Sequence, residues 1–298
     1  MTIQETFDNF ILSRQLADLS PKTISDYQQF VTPFIRSVGP SRPFESITQG
    51  DIQAYLSSLL KKPLSKSTRA TYIRHVKIFL RWSENEYQAG YSTRTVKVPK
   101  SPKRNVRIYS DEEVRQIFSG IHAETDWLTL RNKCIIALMY DSGLRQAEVC
   151  TLQKAGISLT ANRMTVRGKG DKDRTVPLGQ LTRDFMLEYL SLCPYSDTAV
   201  FVNRRGQRLT CNAVKLFVSR LADTLPFELS SHKLRHNFAT NYCLDQYRTH
   251  GQVDIYRLMY LMGHEDIETT RRYLHMANEI LSSQGCISHL DGIMNGEI

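Results

Sequence analysis

The apolar residues of this 298-residue chain keep helical spacing for about ninety positions, give way to a basic stretch, and resume in a different pattern near residue 109. That break constrains the fold most, because it separates two stretches that must build separate cores. Ile3, Phe7, Phe10, Ile11 and Leu19 recur at helical intervals. Ser20-Pro21 joins a capping hydroxyl to a proline suited to a first helical turn, and Tyr27, Phe30, Val31, Phe34, Ile35 and Val38 form a stripe that stops at Gly39. Thr48 with Asp51 can cap a third helix carrying Ile52, Tyr55, Leu56 and Leu59. A fourth is predicted from about 65 to 89, with Ala70, Ile73 and Leu80 facing inward.

Charge follows the same division. The net charge is +9, yet residues 109–298 hold 22 basic and 22 acidic side chains, so the excess lies in the first 108. Within 61–107 there are 13 Lys/Arg against 2 Asp/Glu. Such a concentration marks a polyanion partner better than overall basicity does, with a merely solvated basic face as the plainer reading. Arg74, Lys77 and Arg81 fall on one side of the fourth helix, where they can track a DNA backbone. Lys66, Arg69, Lys100, Lys103 and Arg104 are the other candidate DNA contacts in this stretch. The expected organisation is a helical DNA-binding domain over 1–90, a basic linker over 91–108 containing Pro99 and Pro102, and a second domain over 109–298.

No run of 18 apolar residues is present, and the N-terminus lacks the pattern of a signal peptide, so no membrane partner and a cytoplasmic location are expected. The six cysteines are widely spaced without a CxxC pair and read as reduced thiols.

Beyond residue 109 the pattern mixes helices and short strands. Ser110 caps a helix opening Asp111-Glu112-Glu113, and an apolar helix is predicted over about 127–141. Strand-like runs at 163–167 and 174–178 flank Gly168-Lys169-Gly170-Asp171-Lys172-Asp173, which suggests a β-hairpin. A further strand is expected at 199–203, and helices at about 180–192, 211–224, 231–245, 253–262 and 267–276. Tyr256 and Tyr260 are expected to pack. The fold class is mainly α with a small β-sheet, an α+β arrangement.

Three short motifs carry chemistry: Gly143-Leu144-Arg145, His232-Lys233-Leu234-Arg235-His236, and Gly263-His264 with Tyr273 nine residues after the histidine. Together they offer two arginines, histidines and a phenol, a set suited to attack on a phosphodiester without metal. Two guanidiniums can hold both non-bridging oxygens of a phosphate. Histidine can donate to phosphate or move a proton near neutral pH, and tyrosine can serve as nucleophile. His232 and Arg235 are spaced to face one phosphate, while His236 on a neighbouring bearing would buttress the helix. The alternative, His232 and His236 as an i, i+4 metal pair, lacks the intervening glutamate of a metalloprotease helix; neither metal nor cofactor is expected.

In order and spacing these motifs resemble the tyrosine recombinases, the phage-integrase family. Asp141-Ser142-Gly143-Leu144-Arg145-Gln146-Ala147-Glu148-Val149 looks like the family's first arginine box, residues 167–178 like its lysine-bearing hairpin, and His232-Lys233-Leu234-Arg235-His236-Asn237-Phe238-Ala239-Thr240 like its His-x-x-Arg-His box. Leu261-Met262-Gly263-His264 and Tyr273 match its last box. The resemblance covers about 109–280, and the N-terminal lobe fits the family's SAM-like core-binding domain by layout alone.

The resemblance implies a site-specific recombinase that cuts and rejoins double-stranded DNA through a 3′-phosphotyrosine on Tyr273, without metal or ATP. Arg145 and Arg235 would clamp the scissile phosphate and His264 would hydrogen-bond it. Lys169 would protonate the 5′ leaving oxygen, with Lys172 as its rival, and His232 would assist proton transfer. Glu148 would orient the site from beside Arg145, its plainer reading being a surface charge. The family also implies a tetramer on two duplexes, linked by docking of a C-terminal tail (Ile280, Leu281, Ile287, Leu290) on a neighbouring protomer, and use of an accessory directionality factor by some members. Segment 241–254 is longer than in the family's shortest members, with the excess expected as a loop near 247–252. That length tilts the role toward integrating and excising a mobile element; a Xer-type dimer resolvase and, further off, a type IB topoisomerase are the alternatives.

Overall fold

A computed structural model of the chain describes residues 1–100, 107–168 and 172–283. It divides into two compact units, 1–104 and 105–298.

The N-terminal unit holds four helices, α1 (Ile3–Leu16), α2 (Pro21–Val38), α3 (Gln49–Lys61) and α4 (Lys66–Glu86). Each begins where a side-chain oxygen accepts an otherwise unpaired backbone N–H: Thr2, Ser20, Thr48 and Ser65. Pro21 occupies the first position of α2, where its missing N–H is not needed. The apolar stripes meet in one core containing Phe7, Phe10, Phe34, Tyr55 and Phe79, with edge-on ring contacts such as Phe7 on Phe79 at 5.4 Å between centroids.

The expected linker begins too early at residue 91. Tyr91 and Val96 are buried in this core, and the Tyr91 hydroxyl lies 2.9 Å from that of buried Ser83 on α4. Thr93 Oγ1 donates to Glu84 at 2.5 Å, closing a short 3₁₀ turn onto the helix. Isolated apolar anchors separated by polar residues show no periodicity, so the segment reads as a linker although it folds back. Helix α4 also stops three residues short of expectation, because Tyr87 turns extended to pack against Trp82 and Phe44.

Of the basic residues expected to meet DNA, Lys66, Arg74, Arg81 and Lys100 are exposed. Lys77 is half-buried and donates to the Val96 carbonyl at 2.6 Å, while Arg69 donates to that of Leu64 at 3.3 Å. Lys103 and Arg104 lie outside the described residues.

The C-terminal unit comprises α5 (Asp111–Ser119), α6 (Asp126–Asp141), α7 (Gln146–Thr151), α8 (Gln180–Leu192), α9 (Cys211–Asp223), α10 (Ser231–His250), α11 (Ile255–Met262) and α12 (Ile267–Ser283). A sheet of three antiparallel strands, β1 (Ile157–Ser158), β2 (Arg163–Arg167) and β3 (Asp173–Pro177), accompanies them in that order. The second half of α6, residues 134–139, is apolar and buried all round, and the helix packs in the core against α8 and α10.

Several boundaries differ from expectation. The apolar run 199–203 is buried but forms only isolated bridges, Gln153 to Ala199 and Val202 to Arg208; burial without a ladder partner does not make a strand. Strand β3 starts at Asp173, one residue before the expected run. The extra length near 247–252 is mostly helical: α10 continues to His250 and ends at Gly251, whose φ of 69° supplies a left-handed cap. Tyr256 and Tyr260 are exposed, and the Tyr260 hydroxyl accepts from the Thr175 N–H at 3.0 Å. Helix α12 extends to Ser283, and Ile280 and Leu281 pack against a small core of their own unit formed by α10, α11 and α12. Ile287, Leu290 and Cys286 lie outside the described residues. Among the described residues no helix is long and apolar enough to cross a membrane, and the five described cysteines are free thiols.

Candidate active site

The site assembles where four chain segments converge: the turn after α6, strand β3, the start of α10, and the α11–α12 connection. Gly143 makes the first turn possible. Its φ is 65°, and a Cβ there would collide with the Phe238 ring on α10. Leu144 is buried behind the turn, which leaves Arg145 as the N-cap residue of α7. The Arg145 backbone N–H donates to Glu148 Oε2 at 2.8 Å, and its Nη1 donates to Glu148 Oε1 at 2.9 Å. Main chain and guanidinium are thus held by one carboxylate.

Glu148 is 5% exposed and serves more than Arg145. Arg174, inward on β3 and 6% exposed, forks onto it with Nη1 to Oε1 at 2.9 Å and Nη2 to Oε2 at 2.8 Å. Arg235 Nη1 stands 3.9 Å from Oε2. Burial works to raise the Glu148 pKa, but the bonds and charge of Arg174, with help from Arg145 and Arg235, bring it below the usual carboxylate range.

Three buried or half-buried guanidiniums share one carboxylate, so peptide oxygens take the remaining donors. Arg174 Nε donates to Leu261 O at 2.9 Å, Arg235 Nη2 donates to Met262 O, and Arg145 Nη2 donates to Gly263 O at 2.9 Å. These are successive carbonyls at the C-terminal end of α11, where a helix leaves its last oxygens unpaired and presents the negative end of its dipole. Gly263, at φ 56°, turns the chain left-handed so that its own carbonyl joins the row. Arg235 Nη1 also donates to Gly143 O. Burial, then the neighbouring Arg145, lowers the Arg235 pKa to about 9, so it remains a cation at neutral pH.

The histidines and the phenol complete the cluster. Arg235 Nη2 lies 3.3 Å from His264 Nε2, and His264 Nδ1 lies 2.9 Å from Oγ1 of buried Thr270. A guanidinium can only donate, so His264 carries its proton on Nδ1 and offers Nε2 as acceptor. Burial and the charges of Arg235 and Arg145 lower its pKa to about 4, which keeps it neutral. His236 is lowered to about 4 by burial and then Arg272, and its Nδ1 is buried without a hydrogen bond. Its ring centroid is 5.3 Å from that of Tyr273, so it sits against the phenol as well as on the helix. His232 lies at the exposed start of α10, 5.6 Å from the His236 ring, with its pKa lowered by partial desolvation and Arg235.

Tyr273 is 1% exposed on α12, with the His264 ring stacked 6.2 Å away. Its oxygen accepts from Arg272 Nη2 at 3.2 Å. Among the described residues no cluster of His, Cys, Asp and Glu could hold a metal ion.

Of the expected site residues, Arg145, Glu148, Arg235 and His264 are linked by direct contacts, and Tyr273 joins them through the rings of His264 and His236. Lys169 lies outside the described residues; Lys172 is exposed and lines a groove with Arg145, Arg174 and His264. Two residues escaped sequence reasoning. Arg174 had a legible signal: it alternates in phase with buried Val176 on β3, and a charge at an inward strand position calls for a buried counter-ion. Arg272 had none, since one of two adjacent arginines on a helix does not reveal that it folds back over its neighbour.

Comparison with known proteins agrees with this geometry. Residues 107–279 match the Phage integrase family, and residues 7–86 match the Phage integrase N-terminal SAM-like domain. The chain is 27% identical over 276 residues to the tyrosine recombinase XerC of Bacillus pumilus, covering 88% of each protein. Its fold is similar to the Tn1549 transposon integrase in complex with a circular intermediate DNA (TM-score 0.72, 16% identity, 96% of this chain and 100% of that one). It is also similar to the XerH site-specific recombinase bound to its difH substrate (TM-score 0.70, 23% identity, 89% and 79%). The chain belongs to the phage integrase family, whose members, the tyrosine recombinases, cleave and rejoin DNA.

Proposed function

We propose that this enzyme is a site-specific recombinase in which Tyr273 attacks the scissile phosphodiester. The Tyr273 oxygen forms a bond to phosphorus as the P–O5′ bond breaks, giving a 3′-phosphotyrosine and a free 5′-hydroxyl. Attack by the 5′-hydroxyl of a partner strand reverses the step and reseals DNA, so neither ATP nor metal is consumed. Arg145 and Arg235 hold the non-bridging oxygens and offset the charge that builds in the transition state. His264 bonds the phosphate, His232 assists removal of the phenolic proton, and Lys169 protonates the leaving 5′-oxygen. Glu148 and His236 hold the arginine and the phenol in place.

The observation that carries this reading is the seating of Arg145 and Arg235 on adjacent carbonyls, Gly263 and Met262, directly before the segment bearing His264 and Tyr273. Two cations fixed by backbone at one point suit a single phosphate. The test is covalent capture on nicked DNA from the region flanking the gene: wild type should form a denaturant-resistant adduct, and Tyr273→Phe should not. An adduct that survives the substitution would remove Tyr273 as nucleophile.

The partners are those the family resemblance implies: two double-stranded recombination sites, four protomers linked by C-terminal tails, and a directionality factor where integration and excision must be distinguished. The N-terminal unit grips DNA through the exposed Lys66, Arg74, Arg81 and Lys100 and through Lys103 and Arg104, whereas Arg69 and Lys77 are engaged by backbone carbonyls, and the enzyme works in the cytoplasm. Within the class, integration and excision of a mobile element is the first reading, supported by the fold shared with a transposon integrase. Xer-type resolution of DNA dimers is the second, favoured by near full-length similarity to XerC. Mapping the crossover site separates them: a site at both ends of a movable segment supports the first, and a single chromosomal site the second.

A further inference from the structure

We propose that Arg174 is a positioning residue that takes up the charge of Glu148, so that Glu148 can orient Arg145 without cancelling its charge. The inference rests on the reading above, in which Arg145 and Arg235 act on a phosphate.

A carboxylate bonded to Arg145 alone would fix that guanidinium firmly. It would also neutralise it, and a neutralised ion pair attracts phosphate weakly in a buried setting. The site needs direction without neutralisation. Arg174 supplies it through its two-pronged bond, one nitrogen to each Glu148 oxygen, made where both side chains are almost fully buried. Arg145 binds the same carboxylate through one side-chain nitrogen and its backbone N–H, and its side chain is 37% exposed. The buried Arg174–Glu148 pair is thus close to neutral, while the charges of Arg145 and Arg235 remain available to an incoming anion.

The third bond of Arg174 sets position as well as charge. Its Nε donates to Leu261 O, the first of the three carbonyls whose successors receive Arg235 and Arg145. Strand β3, helix α7 and the end of α11 therefore meet on one guanidinium. Planarity and five fixed donors make arginine suited to this; lysine carries the charge but cannot hold both oxygens and a carbonyl in one plane.

The test uses the full chain and, as probe, a closed-circular plasmid carrying the DNA that flanks the gene. Adduct formation is measured in a single turnover and expressed per DNA-bound folded protein, with affinity for linear fragments of the same DNA measured in parallel. Arg174→Gln should leave DNA affinity nearly unchanged and slow adduct formation roughly a hundredfold, the scale of a small misplacement in a reacting site. Arg174→Lys, which keeps the charge, should lose only about tenfold. Adding Glu148→Gln to Arg174→Gln should restore part of the rate, because the uncompensated carboxylate is gone.

A purely structural Arg174 would give no such rescue once rates are counted per folded, bound molecule. The proposal is overturned if the double variant is as slow as or slower than Arg174→Gln, or if Arg174→Gln matches wild type. Tyr273→Phe is run alongside: an adduct that persists there defeats the reading of the nucleophile, and this proposal with it, whereas its loss leaves the Arg174 result to stand or fall alone.

Discussion

The guanidinium of Arg272 lies over the ring of Tyr273, 5.1 Å from its centroid, and its Nη2 donates to the phenol oxygen at 3.2 Å. A cation bonded to that oxygen favours any state in which the oxygen gains negative charge, and so would ease the attack proposed for Tyr273. Arg272→Ala should slow adduct formation by roughly tenfold, about the value of one charge-assisted hydrogen bond. Because Arg272 is exposed, the variant should melt within a degree or two of wild type. Single-turnover capture and calorimetry check both; an unchanged rate would make the contact incidental.

Glu148 should matter for stability in proportion to the charges around it. Replacing it with alanine leaves Arg174 unpaired in the interior, and breaking a buried pair this way costs about 3–5 kcal/mol. Its folded pKa is depressed below 4.5, so the stability it contributes is complete above that value and is lost as pH falls through the folded pKa. Urea midpoints followed downward from pH 4.5 should fall for wild type and fall less for Glu148→Gln.

His236 and His264 add a separate window. Both are lowered from 6.5 to about 4, so the unfolded chain binds more protons between those values. Their contribution is full above pH 6.5 and drains away as pH falls toward 4. Thermal melts across that range should show the decline, and His236→Asn with His264→Asn should flatten it.

DNA should reverse the state of His264. With Nε2 accepting in the free protein, that nitrogen can donate to a phosphate only after protonation or a tautomer exchange, and the phosphate charge favours protonation. Binding near neutral pH should therefore take up protons, and the heat of binding should depend on the ionisation heat of the buffer. A His264→Asn variant should lose that dependence.

The N-terminal helix stripe predicts salt dependence. Neutralising Arg74 and Arg81 should weaken DNA binding and reduce the slope of affinity against salt by about one for each phosphate that no longer meets a cation. Lys77→Met should in addition loosen the 91–98 segment, whose Val96 carbonyl it holds, and protease digestion there would report it.

Much of this architecture could be read before any coordinates. Four N-terminal helices announce themselves through capping hydroxyls and single-sided stripes, both local properties. Arg145, Arg235 and His264 stand out because each sits in a short contiguous motif, and Tyr273 because of its fixed spacing after His264. The unread parts depend on long-range contact. Tyr91 and Val96 are ordinary residues until Ser83 and the α4 core are seen beside them. The apolar run at 199–203 is buried as expected yet has no strand to pair with. Above all, Leu261, Met262 and Gly263 receive arginines through peptide oxygens, which every residue possesses and no motif can reveal.

Those oxygens make the site indifferent to spelling and strict about length. Any apolar side chain that fits the core at Leu261 or Met262 presents the same acceptor, so drift at these positions should leave the arginine cluster intact. One residue added or removed within α11 ahead of Leu261 would instead bring a different oxygen to every arginine.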